Sequence, residues 1–146
     1  MEYRRFNGTC YVRIDKGEEI ITELLRVCEK ENIRSAVFTG IGGCSRAEIG
    51  TFIPEKGTFA TGTVDGMLEL INITGNIFSE GDRLCHHSHA IFSYRDGAEH
   101  KTAAGHLMSV IVLYTAEIEL RPVTGGVIGK KHDPETGTGF WCFDAR

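Results

Sequence analysis

Apolar residues fall into two periods along this chain, and the first belongs to a helix. In DKGEEIITELLRVCEKEN, beginning at Asp15, the positions Ile20, Ile21, Leu24, Leu25 and Cys28 form one stripe at helical spacing. Asp15 and Glu18 have the N-cap and N3 spacing of a capping box, and Asn32 is placed to close the C-terminal end. The other segments are short, β-branched or alternating, as strands are: 6–14, 35–40, 46–53, 67–77, 87–94, 106–114 and 116–123. Glycines fall mainly between them, as turns require. The pattern predicts an α+β domain over residues 1–146, a mainly antiparallel sheet covered by one principal helix. Segments 67–73 and 106–114 are apolar on both faces. We expect the helix on one side of them and a second subunit on the other.

Composition narrows the function classes. The chain has 146 residues, 41% hydrophobic and 25% charged, enough for a core without covalent staples. A net charge of −4 disfavours broad contact with a phosphate backbone. The pairs Arg4-Arg5 and Lys130-Lys131 are too small to make a nucleic-acid stripe. No apolar run approaches a membrane span, and MEYRRFNGTC lacks the apolar core of a secretory leader. Five cysteines without a CxxC spacing fit free, mostly buried thiols. Together these features lead us to expect a cytoplasmic protein with no membrane partner.

The candidate chemistry lies in LCHHSHAIFSYRDGAEHKTAAGHL, residues 84–107, which holds five of the six histidines. On a strand, His87 and His89 point to the same face. Asp96-Gly97 signals a hairpin. A two-residue loop at 96–97 sets His106 opposite His87; a four-residue loop over 96–99 sets it opposite His89. Either register puts three imidazoles on one face, with directly opposed Cβ atoms roughly 4.5–5.5 Å apart. Three imidazoles with an open fourth position describe a catalytic-type zinc site, although other divalent transition metals also suit the set. Without a metal, each ring would need its own hydrogen-bond partner. Cys85 shares the parity of the pair and is a further candidate ligand, or else a small buried hydrophobe. His86 faces the other way and reads as structural. His100 reads as a loop residue and His132 as a surface residue.

Three other features complete the reading. TGIGGCSRAEIG (39–50) fails as a dinucleotide fingerprint, because Ser45 stands where a third glycine is needed and a strand follows. It reads as a tight turn whose residues Gly40, Gly42 and Gly43 could line a ligand pocket together with Arg13. Glu69 lies in the apolar MLELINITGNI and needs a partner. It is a candidate catalytic acid or base or an orienter of a ligating histidine; the alternative is a buried pair with Arg13. Glu117 and Glu119 read as a solvated face, and Phe140, Trp141 and Phe143 as packing residues, with a subunit interface as one setting for them.

The segments YVRIDKGEEI, IRSAVFTGIGGCSRAEIGTF, LELINITGNI, HSHAIFSYRDG and AAGHL, in this order over about residues 4–123, resemble the plants-and-prokaryotes conserved domain (PPC, also written PCC). The resemblance implies an antiparallel sheet with a helix, a free-standing domain, a homotrimer, and metal ligation by the histidines of HxH and GHL, matching His87, His89 and His106. It also implies kinship with plant AT-hook proteins, and so a DNA-binding or transcription-associated role as one alternative. The fold is similar to that of acetolactate decarboxylase, a histidine-zinc protein. A metal-dependent hydrolase or lyase acting on a small carbonyl compound at the open position is therefore the other alternative.

Overall fold

The computed structural model describes residues 1–145. One helix, α1 (Ile20–Glu31), accompanies eight strands: β1 (Glu2–Phe6), β2 (Thr9–Asp15), β3 (Ala36–Ile53), β4 (Thr58–Glu80), β5 (Arg83–Asp96), β6 (Glu99–Pro122), β7 (Val127–Asp133) and β8 (Thr138–Ala145). This is the expected mostly-β architecture with one helix. All strand pairings are antiparallel except a single parallel contact between β4 and β7 at Ser79 and Gly129. Pairing runs round a closed circuit: β3 pairs with β4 and β6, β4 with β5, and β5 returns to β6. The β1–β2 hairpin extends the sheet beyond β6.

The inner face and α1 share one core. Ile14, Phe38, Leu68, Leu70, Phe92, Leu107 and Leu120 from the strands are buried with Ile20, Ile21, Leu24, Val27 and Cys28 from the helix. Val27 is buried and Leu25 only partly, so the stripe turns slightly from the one the spacing predicts. The outer face stays open in the single chain. Ile41, Met67, Ile71 and Tyr114 are exposed there.

Four expectations need correction. The helix starts at Ile20, not near Asp15, and its N-cap is Glu19, whose carboxylate accepts from Thr22 N at 2.7 Å. Gly17, at φ +84°, breaks any helix begun earlier. The Asp15 carboxylate is held instead by the Met1 ammonium and Arg13. Glu18 does reach back to the Asp15 amide at 2.8 Å, but it closes a turn. Segment 6–14 is not one strand: Asn7 (φ 47°) and Gly8 (φ 88°) form a two-residue hairpin between β1 and β2. Residues 40–45 are not a turn but the middle of β3, where Gly40 and Gly42 let β6 approach. A Cβ on Gly40 would lie 2.4 Å from the Glu117 carbonyl oxygen, and one on Gly42 would lie 2.7 Å from that of Thr115. Finally, residues 127–133 and 138–145, where the spacing predicted no strands, form the β7–β8 hairpin, and Phe140, Trp141 and Phe143 lie exposed on it in the single chain, outside its core.

Asn32 does close α1 in the left-handed region (φ 54°, ψ 38°), and Ile33 N bonds back to the Cys28 carbonyl at 2.8 Å. All five cysteines are free. Burial pushes the Cys28 and Cys44 thiols up to about 12, which leaves them unreactive. No helix among the described residues is long and apolar enough to cross a membrane.

Candidate metal centre

The histidine cluster is built by register. The β5–β6 hairpin turns at Gly97 and Ala98, with Asp96 opposite Glu99 and Gly97 at φ +60°. That register sets His89 opposite His106 and puts His100 in β6, paired with Arg95, rather than in a loop. Phe92 is fully buried and Ala90 nearly so, which turns His89 and His87 outward. Leu107 does the same for His106. At His106 the two pairings of β6 meet: Gly50 of β3 lies on one side and His89 of β5 on the other.

Two glycines allow this convergence. A Cβ on Gly105 would stand 2.7 Å from the Gly50 carbonyl oxygen. One on Gly75 would stand 2.6 Å from Ser88 Cβ and 2.7 Å from the His87 carbonyl oxygen. Both hold backbone close to a histidine of the cluster, a role that a glycine inside a strand pattern can signal.

The ligand atoms of His87, His89 and His106 all lie within 4.8 Å of one another, with His89 exposed and His106 half-buried. His87 Nε2 and His89 Nε2 are 3.3 Å apart. Two nitrogens on a tetrahedral zinc with bonds of 2.0–2.1 Å are about 3.3–3.4 Å apart. The His87–His106 ring centroids are 5.0 Å apart, the other two pairs 5.3 Å. Phe59 lies against the His106 ring at 4.5 Å and steadies it.

Burial, helped by repulsion from His87, His89, His86 and Lys130, pushes His106 down to about 4. Burial also lowers His87, helped by Lys130, His89 and His86. Both rings are therefore neutral near pH 7, the state that binds a metal without first losing a proton. The donor set fits a borderline-soft divalent cation.

The remaining candidates lie elsewhere. Cys85 is outside the three-histidine group; its Sγ accepts from Arg83 Nε at 3.3 Å and donates to Glu80 at 3.6 Å. His86 faces inward and bonds Ser88 Oγ at 3.1 Å, and His132 is exposed. Glu69 is exposed on the outer face opposite Ser93, four residues and so about 13 Å along β5 from His89. Arg13 pairs with Glu2 and Asp15, not with Glu69. Arg13 and Gly40 line a cleft of about 730 Å³ under the β1–β2 hairpin. Gly42, Gly43 and Glu69 line a neighbouring one of about 500 Å³. None of the three histidines borders either cleft.

A closed antiparallel sheet with one covering helix and an outward three-histidine cluster defines a small β-rich domain with a candidate metal centre. The chain belongs to the Plants and Prokaryotes Conserved (PCC) domain family, whose model matches residues 1–124. A protein from Pyrococcus horikoshii described as plant- and prokaryote-conserved is 30% identical, with a TM-score of 0.81 over 96% of this chain and 92% of that one. A Bacteroides thetaiotaomicron structure described as a putative DNA-binding protein is 24% identical, with a TM-score of 0.89 over 99% and 98%. A metal-containing protein from Archaeoglobus fulgidus, also 24% identical, has a TM-score of 0.82 over 97% and 96%. Among curated proteins, none matches this chain.

Proposed function

We propose that this PCC protein binds zinc through His87, His89 and His106, leaves one coordination position open for a small ligand, and works as a homotrimer. The convergence of three imidazoles within 4.8 Å of one another, two of them with nitrogens 3.3 Å apart as on a tetrahedral zinc, carries the reading. The metal-containing Archaeoglobus relative supports it. When bound, zinc would supply a Lewis acid to whatever occupies the open position. Around it, the chain's own residues orient the site: Gly105 and Gly75 set the backbone, and Phe59 fixes the His106 ring.

Assembly follows from the outer face. Ile41, Met67, Ile71 and Tyr114 surround the cleft that contains Glu69. An apolar patch rimmed by carboxylates is the signature of a contact surface, and here it is a place for further copies of the chain. The Bacteroides structure described as a putative DNA-binding protein suggests a different partner, but charge argues against direct phosphate contact. Arg4, Arg5, Arg13, Arg26, Arg46 and Lys101 are each held by a carboxylate.

Elemental analysis together with light scattering tests both halves of the proposal. We expect one zinc per chain, lost in His106→Ala, and a mass of three chains. Clean protein without a stoichiometric metal would refute the metal centre, and a stable monomer would refute the assembly.

A further inference from the structure

The family model ends at residue 124, and the β7–β8 hairpin lies beyond it. That hairpin is fastened beside the histidines. Ser35 Oγ accepts from Ile128 N at 2.7 Å and lies 3.1 Å from the Ile128 carbonyl oxygen, to which it donates. Trp141 Nε1 donates to Asn76 Oδ1 at 3.3 Å, and Asn76 is the cross-strand partner of His87. Across the hairpin, Trp141 pairs with Lys130.

Lys130 is held in place along its length. Its stem lies over Gly139, where a Cβ would come within 2.7 Å of Lys130 Cε. Its ammonium stands 4.9 Å from the centroid of Phe78. Phe78 is two residues from Asn76 on β4 and pairs with Cys85, two residues from His87 on β5, so all four share the outer face. The ammonium is thus held over a residue one same-face position along the strands from the Asn76–His87 pair. Among the described residues, no ion pair involves Lys130.

We propose that Lys130 and Trp141 complete a binding site for a small organic carboxylate at the three-histidine centre. The proposal rests on the metal-binding reading above. Imidazole ligands add no charge, so a divalent cation on three of them keeps its full charge, and a fixed ammonium nearby adds another. An anion held between the two relieves their repulsion. A carboxylate has two oxygens, one for each positive group, and its organic body fits against the indole. The donor set suits a monoanion better than phosphate, which is commonly gripped by guanidinium forks or rows of backbone amides.

The test uses the full chain loaded with cobalt, whose visible absorption reports its coordination. Trp141 is the only tryptophan, so indole emission gives an independent signal. Benzoate titration should change both signals with the same saturation curve. Lys130→Met, which keeps the stem and removes the charge, should bind the same cobalt but weaken benzoate about tenfold or more, the scale of one charge-assisted bond. Lys130→Arg should restore most of the affinity. Trp141→Phe, followed by cobalt absorption, should weaken benzoate more than acetate. Equal benzoate affinity in cobalt-loaded Lys130→Met, with an unchanged far-ultraviolet circular dichroism spectrum, overturns this inference and leaves the metal centre standing. Tighter binding of inorganic phosphate than of benzoate also overturns it. Failure to take up cobalt overturns both readings.

Discussion

Replacing Gly105 with alanine should perturb the candidate metal centre without altering any of its three histidines. The added Cβ would lie 2.7 Å from the Gly50 carbonyl oxygen, whereas ordinary contact begins near 3.4 Å. The strands must part by the difference, 3.4 − 2.7 = 0.7 Å. The opposing atom is backbone, so no side-chain rotation can relieve the clash. Overpacking of this kind costs about 1–3 kcal/mol. His106 is the next residue and pairs with Gly50 itself, so its ring moves with the strand. Metal sites tolerate ligand displacements of about 0.2 Å, and losses on disturbing the supporting shell run to about 10–100-fold in affinity. We expect Gly105→Ala to lower the urea midpoint of the metal-free protein and to weaken zinc by about that factor in competition with a chromogenic chelator. Gly62→Ala is the control, because nothing lies within 4 Å of its added Cβ and its φ is ordinary. If Gly105→Ala matches the wild type in both assays, the close approach of β3 to β6 does not position His106 and the reasoning fails.

Three further outcomes are expected. Glu19→Ala removes the helix cap and the 3.1 Å bond from Val110 N to Glu19 Oε1 that ties α1 to β6; urea unfolding should show a loss of about 2 kcal/mol. Asn32→Ala forces a Cβ-bearing residue without a local side-chain bond into the left-handed region and should cost about 1 kcal/mol, whereas Asn32→Gly should be close to neutral in the same assay. In metal-free protein, the folded state holds His106 down to about 4, chiefly by burial, while the unfolded chain titrates near 6.5. The unfolded state therefore binds more protons between these values, and stability must fall as pH drops from about 6.5 towards 4. The full shift would be worth about 3 kcal/mol, which solvent screening of a half-buried ring reduces to about 1 kcal/mol. Thermal melts across that window should show the fall, and His106→Gln should flatten it.

The sequence carries the three-histidine cluster more clearly than it carries the fold around it. Strand parity is a local rule, so the pattern HxH, an Asp-Gly turn and a later histidine constrain three side chains to one face whichever even loop forms. The helix was legible for a similar reason, since i, i+4 spacing is local. Its start was not, because Asp15 and Glu18 satisfy the spacing of a cap while their carboxylates answer to Met1, Arg13 and the Asp15 amide. Glycines misled in the other direction. Gly40, Gly42 and Gly43 read as a turn because turns are the usual reason for clustered glycine. Here they serve a β3–β6 approach set by residues more than seventy positions away. Asn7-Gly8 carried a hairpin signal that a continuous reading of 6–14 passed over. Lys130 and Trp141 gave no signal, since their nearness to His87 depends on a hairpin docked through Ser35 and Asn76.

Closure of the β3–β6 circuit explains why the chemistry sits where it does. The inner face is filled by the core and α1, so polar function has only the outer face available. On that face β5 carries two different surfaces. Near Ser93 it runs beside Glu69, in the cleft that Met67 and Ile71 also line, while near His89 it meets His106 and its Phe59 support. About 13 Å of strand separates them. A copy of the chain seated on the apolar patch therefore need not cover the histidines of the same chain, and the open position remains accessible. The β7–β8 hairpin lies on the far side of the histidines from the patch, along β4 towards Glu80, and carries Lys130 over Phe78. The proposed assembly, metal binding and ligand choice thus fall to three stretches of one surface. Each can be altered with the other two left in place.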